Sequence, residues 1–256
     1  MDAVKRRAVK TLVTKLTSVS EQTRTEALCE LRLLSKNDAE SRPLIAEANA
    51  VPLIAESLYS PAAILQENAT ATLLNLSIAS KEHLMSSHGV LDALSHALRH
   101  PATPFAAQCA AATIFSLLSV ESFRPIIGHK RDIIFGLVEI PFWGIALSTK
   151  PGSNGGAWGG PGPVFVGRKD GRVGLIEDAT AVIAQVAGCE ESWEIFKKAL
   201  GIEVLMDLLD NATGSSSRTK ENAVSALLNL VQCGGEEVAN DVRGKMEARV
   251  LMGLLI

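Results

Sequence analysis

Aromatic side chains are scarce in this chain of 256 residues: one Tyr, three Trp and seven Phe, 4% in all. Leu and Ala carry the apolar content instead, which suits helices in close contact and suits sheets poorly. Cysteine is also scarce. The four present form no close pairs, so the chain has neither a disulfide scaffold nor a zinc framework, and a cytoplasmic or nuclear setting is expected. No apolar run approaches the roughly 18 residues of a membrane span. The start, MDAVKRR, leads into an amphipathic pattern without a signal-type apolar block, so direct membrane insertion is not expected. An excess of positive charge is missing as well: 25 basic against 28 acidic side chains give a net charge of -3, no footing for nucleic acid. The composition, 47% apolar and 21% charged, is that of a folded protein.

What is present is internal repetition. ENATATLLNLS (67–77), QCAAATIFSLL (108–118), EDATAVIAQVA (177–187) and ENAVSALLNLV (221–231) read as copies of one segment, with a weaker fifth in TEALCELRLLS (25–35). Their matching alanines are Ala27, Ala69, Ala110, Ala179 and Ala223, at steps of 42, 41, 69 and 44 residues. Within a copy the apolar residues recur three and four apart, as Ala69, Leu73 and Leu76 do, so they share one helix face. The small residue lets a neighbouring helix approach, and the leucines fill the remaining gap.

A second helix precedes each copy. Residues 49–58, 89–98 and 200–209 align, with Pro52, Asp92 and Glu203 at the same early position, where proline is tolerated and an acid suits the helix dipole. A shorter segment before each pair, such as 41–47 or 81–85, makes a first short helix. Three helices per unit of about 42 residues define the armadillo/HEAT range. Each unit exposes apolar faces on two sides and needs neighbours to cover them. The expected fold is therefore all-α: a right-handed superhelical solenoid of armadillo type, its concave face built from the third helices.

The 69-residue step breaks the period. Nine of the 20 glycines lie between 151 and 174, and no helix is expected from Pro151 to Pro163. The expected division is 1–147 for N-terminal repeats, 148–174 for a Gly/Pro-rich disordered or degenerate segment, and 175–256 for C-terminal repeats, the last truncated. The glycine-rich stretch lacks the Gly-Lys-Ser/Thr ending of a phosphate loop and the acid spacing of a dinucleotide site. It reads instead as a damaged repeat, in which only Phe142–Leu147 resembles the end of the last helix.

Catalytic chemistry finds no footing. There is no Gly-x-Ser-x-Gly elbow and no His-Glu-x-x-His pair. His96 and His100 share a helix face, but no acids or thiolates converge on them at ligand spacing. No catalytic residue, metal or cofactor is expected. Glu67 and Glu221 read as braces of helix starts. One binding signal remains. The position six residues after each repeat alanine reads Leu33, Asn75, Ser116, Gln185 and Asn229. An amide there has both a donor and an acceptor to match an extended peptide's backbone, or it bonds within the loop of its own repeat. Both readings stay open. Arg124, Lys130 and Arg131 either steer an acidic partner at the rim or form a solvated cluster.

Residues 36–45, 66–77 and 220–230, with 123–134 and 170–188, together resemble the armadillo region of plant U-box E3 ubiquitin ligases. The resemblance covers roughly 1–147 and 165–240. It implies a stack that binds a substrate or a receptor partner, and no catalytic cysteine or metal. In that family a zinc-free U-box recruits the E2 enzyme. The chain begins inside the repeats, so no U-box and no E2 binding are expected. The expected function is a protein-interaction scaffold of the ubiquitin pathway. The alternatives are part of a ubiquitin ligase whose U-box lies outside this chain, and a catenin- or importin-like adaptor.

Overall fold

A computed structural model describes residues 2–149, 169–199 and 201–254, and every regular element among them is helical. The described residues form two compact units, 2–120 and 121–254. None of the helices among them is long and apolar enough by itself to cross a membrane.

The first unit begins with α1 (Asp2–Leu16) and α2 (Glu21–Asn37). Two full triplets follow: α3 (Ser41–Glu47), α4 (Ala50–Glu56) and α5 (Ala63–Ser77), then α6 (Lys81–Ser86), α7 (Val90–Arg99) and α8 (Pro104–Leu118). The third helices α2, α5 and α8 pack side by side, and the second helices α1, α4 and α7 line up behind them. Ala27, Ala69 and Ala110 are buried at those contacts, and so are Leu31, Leu73 and Ile114 one turn further on. The small residue sets the spacing and the larger one fills it, as the periodicity predicts.

Local chemistry marks the helix ends. Ser20 caps α2 by accepting from the Thr23 amide, and Thr103 caps α8 by accepting from the Ala106 amide, with Pro104 in the first turn. The turns into α4 and α7 each need one left-handed residue. Asn49 (φ 58°) and Gly89 (φ 81°) supply it, residue types that adopt this conformation at low cost. The N-terminal helix is tied on by charge. Lys5 pairs with Asp38 at 2.7 Å and with Glu40 at 2.8 Å. Asp38 first and Glu40 second hold its ammonium well above the usual lysine range.

The second unit corrects the sequence reading of the long step. After a 3-10 turn at Glu121–Phe123 come α9 (Arg124–Gly128), α10 (Arg131–Thr149) and α11 (Lys169–Val186). These are one first, one second and one third helix. The 69-residue step thus holds a first, a second and a third helix, not a damaged repeat of which only Phe142–Leu147 remains. Phe142–Leu147 belongs to the second helix, not to the end of a third. Within the expected 148–174 segment, residues 148–149 and 169–174 are helical, and 150–168 lie outside the described residues. The helix-free stretch expected from Pro151 to Pro163 therefore falls outside what is described.

The last triplet is α12 (Trp193–Lys198), α13 (Gly201–Leu209) and α14 (Ser217–Leu254), with α14 packed along α11 and α13. Pro52, Asp92 and Glu203 are each the third residue of their second helix, in the register read from sequence. α14 is broken at Gly235, whose φ of 63° and ψ of -148° are not helical. Its second limb, residues 236–254, meets α12 and α13. Val238 is fully buried, Lys197 pairs with Glu237, and Lys245 pairs with Glu203. Residues 246–254 thus belong to a limb that starts ten residues before Met246.

Candidate partner-binding face

The third helices carry the binding candidates, and the structure gives three of them a definite partner. Asn75 Nδ2 donates to Ser35 Oγ at 3.0 Å and to the Arg32 carbonyl at 3.5 Å. Ser116 Oγ donates to the Ser77 carbonyl at 3.1 Å. Asn229 Nδ2 donates to the Ala184 carbonyl at 2.7 Å. Each side chain reaches back to the preceding third helix, not into the loop of its own repeat. The amide hydrogens act as braces between repeats. The Oδ1 atoms of Asn75 and Asn229 make no hydrogen bond among the described residues, and both residues are half-buried. Gln185 Oε1 is buried and unpartnered among the described residues, so this side chain does not repeat the same contact. Leu33, first in the row, is 52% exposed.

The basic candidates sit elsewhere. Arg124 opens α9, Lys130 lies in the α9–α10 turn and Arg131 opens α10, its guanidinium 6.0 Å from the Phe135 ring centroid. None of them is on a third helix, so they do not join the amide row. His96 lies between Tyr59 and His100, with ring centroids 4.8 and 5.0 Å away. Burial first and the neighbouring His100 second push its imidazole below the usual histidine range. No three His, Cys, Asp or Glu side chains converge as metal ligands among the described residues. Two cysteines bond to backbone within the second unit: Cys189 Sγ to the Arg124 carbonyl and Cys233 Sγ to the Gly188 carbonyl.

A second set of connectors joins the repeats, and of its members the sequence reading named only Glu67, as a brace of a helix start. Glu67 Oε1 accepts from Thr103 Oγ1 at 2.6 Å, and Glu177 Oε1 accepts from Ser216 Oγ at 2.6 Å. Each hydroxyl oxygen in turn accepts a backbone amide at the start of the next third helix, from Ala106 and Thr219 respectively. One residue on, Asn68 Oδ1 accepts from Arg32 Nη1 at 2.9 Å. Asn222 Nδ2 donates to the Glu177 carbonyl and to Thr180 Oγ1, both at 3.2 Å. Buried Gln66 donates to the carbonyls of Leu58 and His100 and accepts the Ala102 amide, so it stitches two turns together. The signal available in the sequence was a Thr or Ser before α8 and α14, matched by the acid that opens the preceding copy, Glu67 and Glu177.

Comparison with known proteins agrees with this architecture. No protein-family model matches the chain. U-box domain-containing protein 16 of Arabidopsis thaliana is 30% identical over 226 residues, which are 83% of this chain and 33% of that protein. U-box domain-containing protein 17 of the same plant is 31% identical over 96% of this chain and 35% of its own length. The chain spans about a third of the length of these curated relatives. Among solved structures, a designed armadillo repeat protein matches with a TM-score of 0.67 at 20% identity, over 92% of this chain and 87% of that one. Another, solved in complex with peptide (KR)4, matches with a TM-score of 0.62 at 19% identity, over 94% and 98%. A chain from a study of the interaction between cadherin and beta-catenin matches at 0.64 and 19%, over 90% and 40%.

The chain is thus an all-α repeat solenoid of the armadillo type. Within that class it is related at low identity to plant U-box domain-containing proteins.

Proposed function

We propose that the chain is the partner-binding part of a ubiquitin-pathway protein, holding a protein segment across its third helices in the cytoplasm or nucleus. The observation that carries this reading is the exposure of apolar side chains on those helices beside half-buried amides. In the first unit these are Leu33, Phe105 and Phe115; in the second, Val224 and Leu228, the last 58% exposed. Side chains of this size left in water on α2, α8 and α14 favour a surface that a partner covers. The free Oδ1 atoms of Asn75 and Asn229 then accept backbone N–H groups of the bound segment. Ser116 adds a hydroxyl to Asn75 in the first unit and Gln185 adds an amide to Asn229 in the second, and Arg124, Lys130 and Arg131 bring an acidic partner towards the second unit. The link to ubiquitin is supported by the resemblance to the armadillo region of plant U-box ubiquitin ligases and by relatives that are U-box domain-containing proteins.

The test is cross-linking of the purified chain to a captured partner, followed by mapping of the linked residues. Links concentrated on α2, α5, α8 and α14 are expected, with capture lost in Phe115→Glu and kept in Ile126→Glu on α9. Links confined to α1, α4 and α7 would remove the third-helix face from consideration. Ubiquitination of that partner is expected to change with the level of the chain. No change would leave the scaffold and discard the ubiquitin link.

A further inference from the structure

On the third-helix surface of the first unit, Arg32 is a cation that no carboxylate among the described residues pairs with. Arg32 stands on α2 five residues after Ala27, where the other copies have Leu74, Phe115, Ala184 and Leu228. A charged side chain at an otherwise apolar position calls for an explanation. Arg32 is half-buried and held from two sides. Its Nη1 donates to Asn68 Oδ1 on α5 at 2.9 Å, and its Cζ lies 5.3 Å from the centroid of the Phe105 ring on α8. Three consecutive repeats therefore fix one guanidinium.

The partners are a neutral amide and a ring face, and neither is an anion. Elsewhere in this unit cations do meet carboxylates: Lys5 pairs with Asp38 and Glu40, and Arg6 pairs with Glu47. Glu67, the residue before Asn68, accepts from Thr103 instead. A guanidinium has five N–H donors in a rigid fork, and among the described residues only the Nη1 bond to Asn68 engages them. A planar cation with its orientation already set and its donors unfilled matches a carboxylate, which takes two parallel N–H bonds. Leu33 and Phe115, both exposed on the same set of helices, offer apolar contact to the neighbouring side chains of such a ligand.

We propose that Arg32 anchors a carboxylate of the bound segment, so that the face formed by α2, α5 and α8 selects an extended peptide mixing acidic and apolar residues. This rests on the third-helix reading given above and names the chemistry of its partner. Asn68 and Phe105 are positioning residues, which hold the fork without touching the ligand's charge.

Fluorescence anisotropy with three labelled eight-residue peptides tests this on the full chain. The probes are alternating Glu and Leu, alternating Gln and Leu, and (KR)4. Charge-assisted hydrogen bonds to one carboxylate predict that the Glu peptide binds about ten-fold more tightly than the Gln peptide, and that (KR)4 is the weakest. Arg32→Gln should abolish the preference for Glu over Gln while leaving the Gln peptide's affinity in place. Arg32→Lys keeps the charge but loses the fork, and should retain only part of the preference. If the Glu and Gln peptides bind the native chain equally, the Arg32 proposal is overturned and the third-helix face stands. If none of the peptides binds, the third-helix reading itself fails and takes this one with it.

Discussion

Thr103 donates a 2.6 Å hydrogen bond to Glu67 from the next repeat, and the same hydroxyl oxygen caps α8 by accepting the Ala106 amide. One side chain thus closes a helix start and ties two repeats together. Ser216 does the same with Glu177 in the second unit. In a solenoid the stability of each repeat depends on such neighbour terms. Replacing Thr103 by Val keeps the shape and removes both bonds. A loss of about 1–2 kcal/mol is expected from the cap, with a further contribution from the stranded carboxylate. Thr103→Ser should stay near the native value. Urea unfolding of both variants checks this, and equal midpoints for Val and native would refute the bridge.

The sequence offers Asn75 as a candidate binding residue, and the structure adds a structural cost to its removal. Its Nδ2 braces α5 against Ser35 and the Arg32 carbonyl. Asn75→Ala should therefore lower stability by about 0.5–1.5 kcal/mol, in addition to any effect on a partner. Differential scanning calorimetry reads the first effect without the second. An unchanged Tm would mean that the brace is not made in solution.

Most of the fold was legible in the sequence because two positions per repeat obey one rule. Ala27, Ala69, Ala110, Ala179 and Ala223 are all buried, and so are the large residues four positions later. The second helix of the long step was not legible. Pro141 and Gly144 count against a helix by propensity. The burial of Ile133, Ile134, Leu137, Val138 and Ile140 outweighs them in α10. At the candidate site the residue types were readable and their direction was not. Whether Asn75 faces a ligand, its own loop or the previous helix depends on how two third helices are registered. No local pattern encodes that register.

His96 gives the first unit an acid-sensitive point. Its pKa lies below the ordinary 6.5 because burial, and then the charge of His100, disfavour the imidazolium. The unfolded chain therefore binds the proton more readily than the folded one. The contribution to stability is complete above pH about 6.5 and is lost as the pH falls through the depressed folded value. Native protein should lose stability between pH 7 and 5, and His96→Gln should flatten that slope. Urea midpoints across the range, parallel for the two proteins, would show that His96 is not the group responsible.

The break in α14 depends on two adjacent glycines with different duties. Gly235 has a φ of 63° with ψ at -148°, a region that side chains with a Cβ avoid. Gly234 is needed for space. A Cβ there would lie 1.9 Å from Val238 Cγ2 and 3.3 Å from the Trp193 ring. Val238 is fully buried and Trp193 is buried at the same contact, so neither side chain can withdraw without opening the core. Gly234→Ala should therefore detach residues 236–254 while leaving α11 and α13 packed. Hydrogen exchange is the appropriate measurement: protection should fall in 236–254 and persist in α11. The pairs Lys197–Glu237 and Lys245–Glu203 are largely surface contacts and are too weak to hold the limb against a core clash. Combining Gly234→Ala with Val238→Ala removes the colliding methyl groups and should restore part of the protection. If Gly234→Ala alone leaves exchange unchanged, the close approach at Trp193 does not govern this turn.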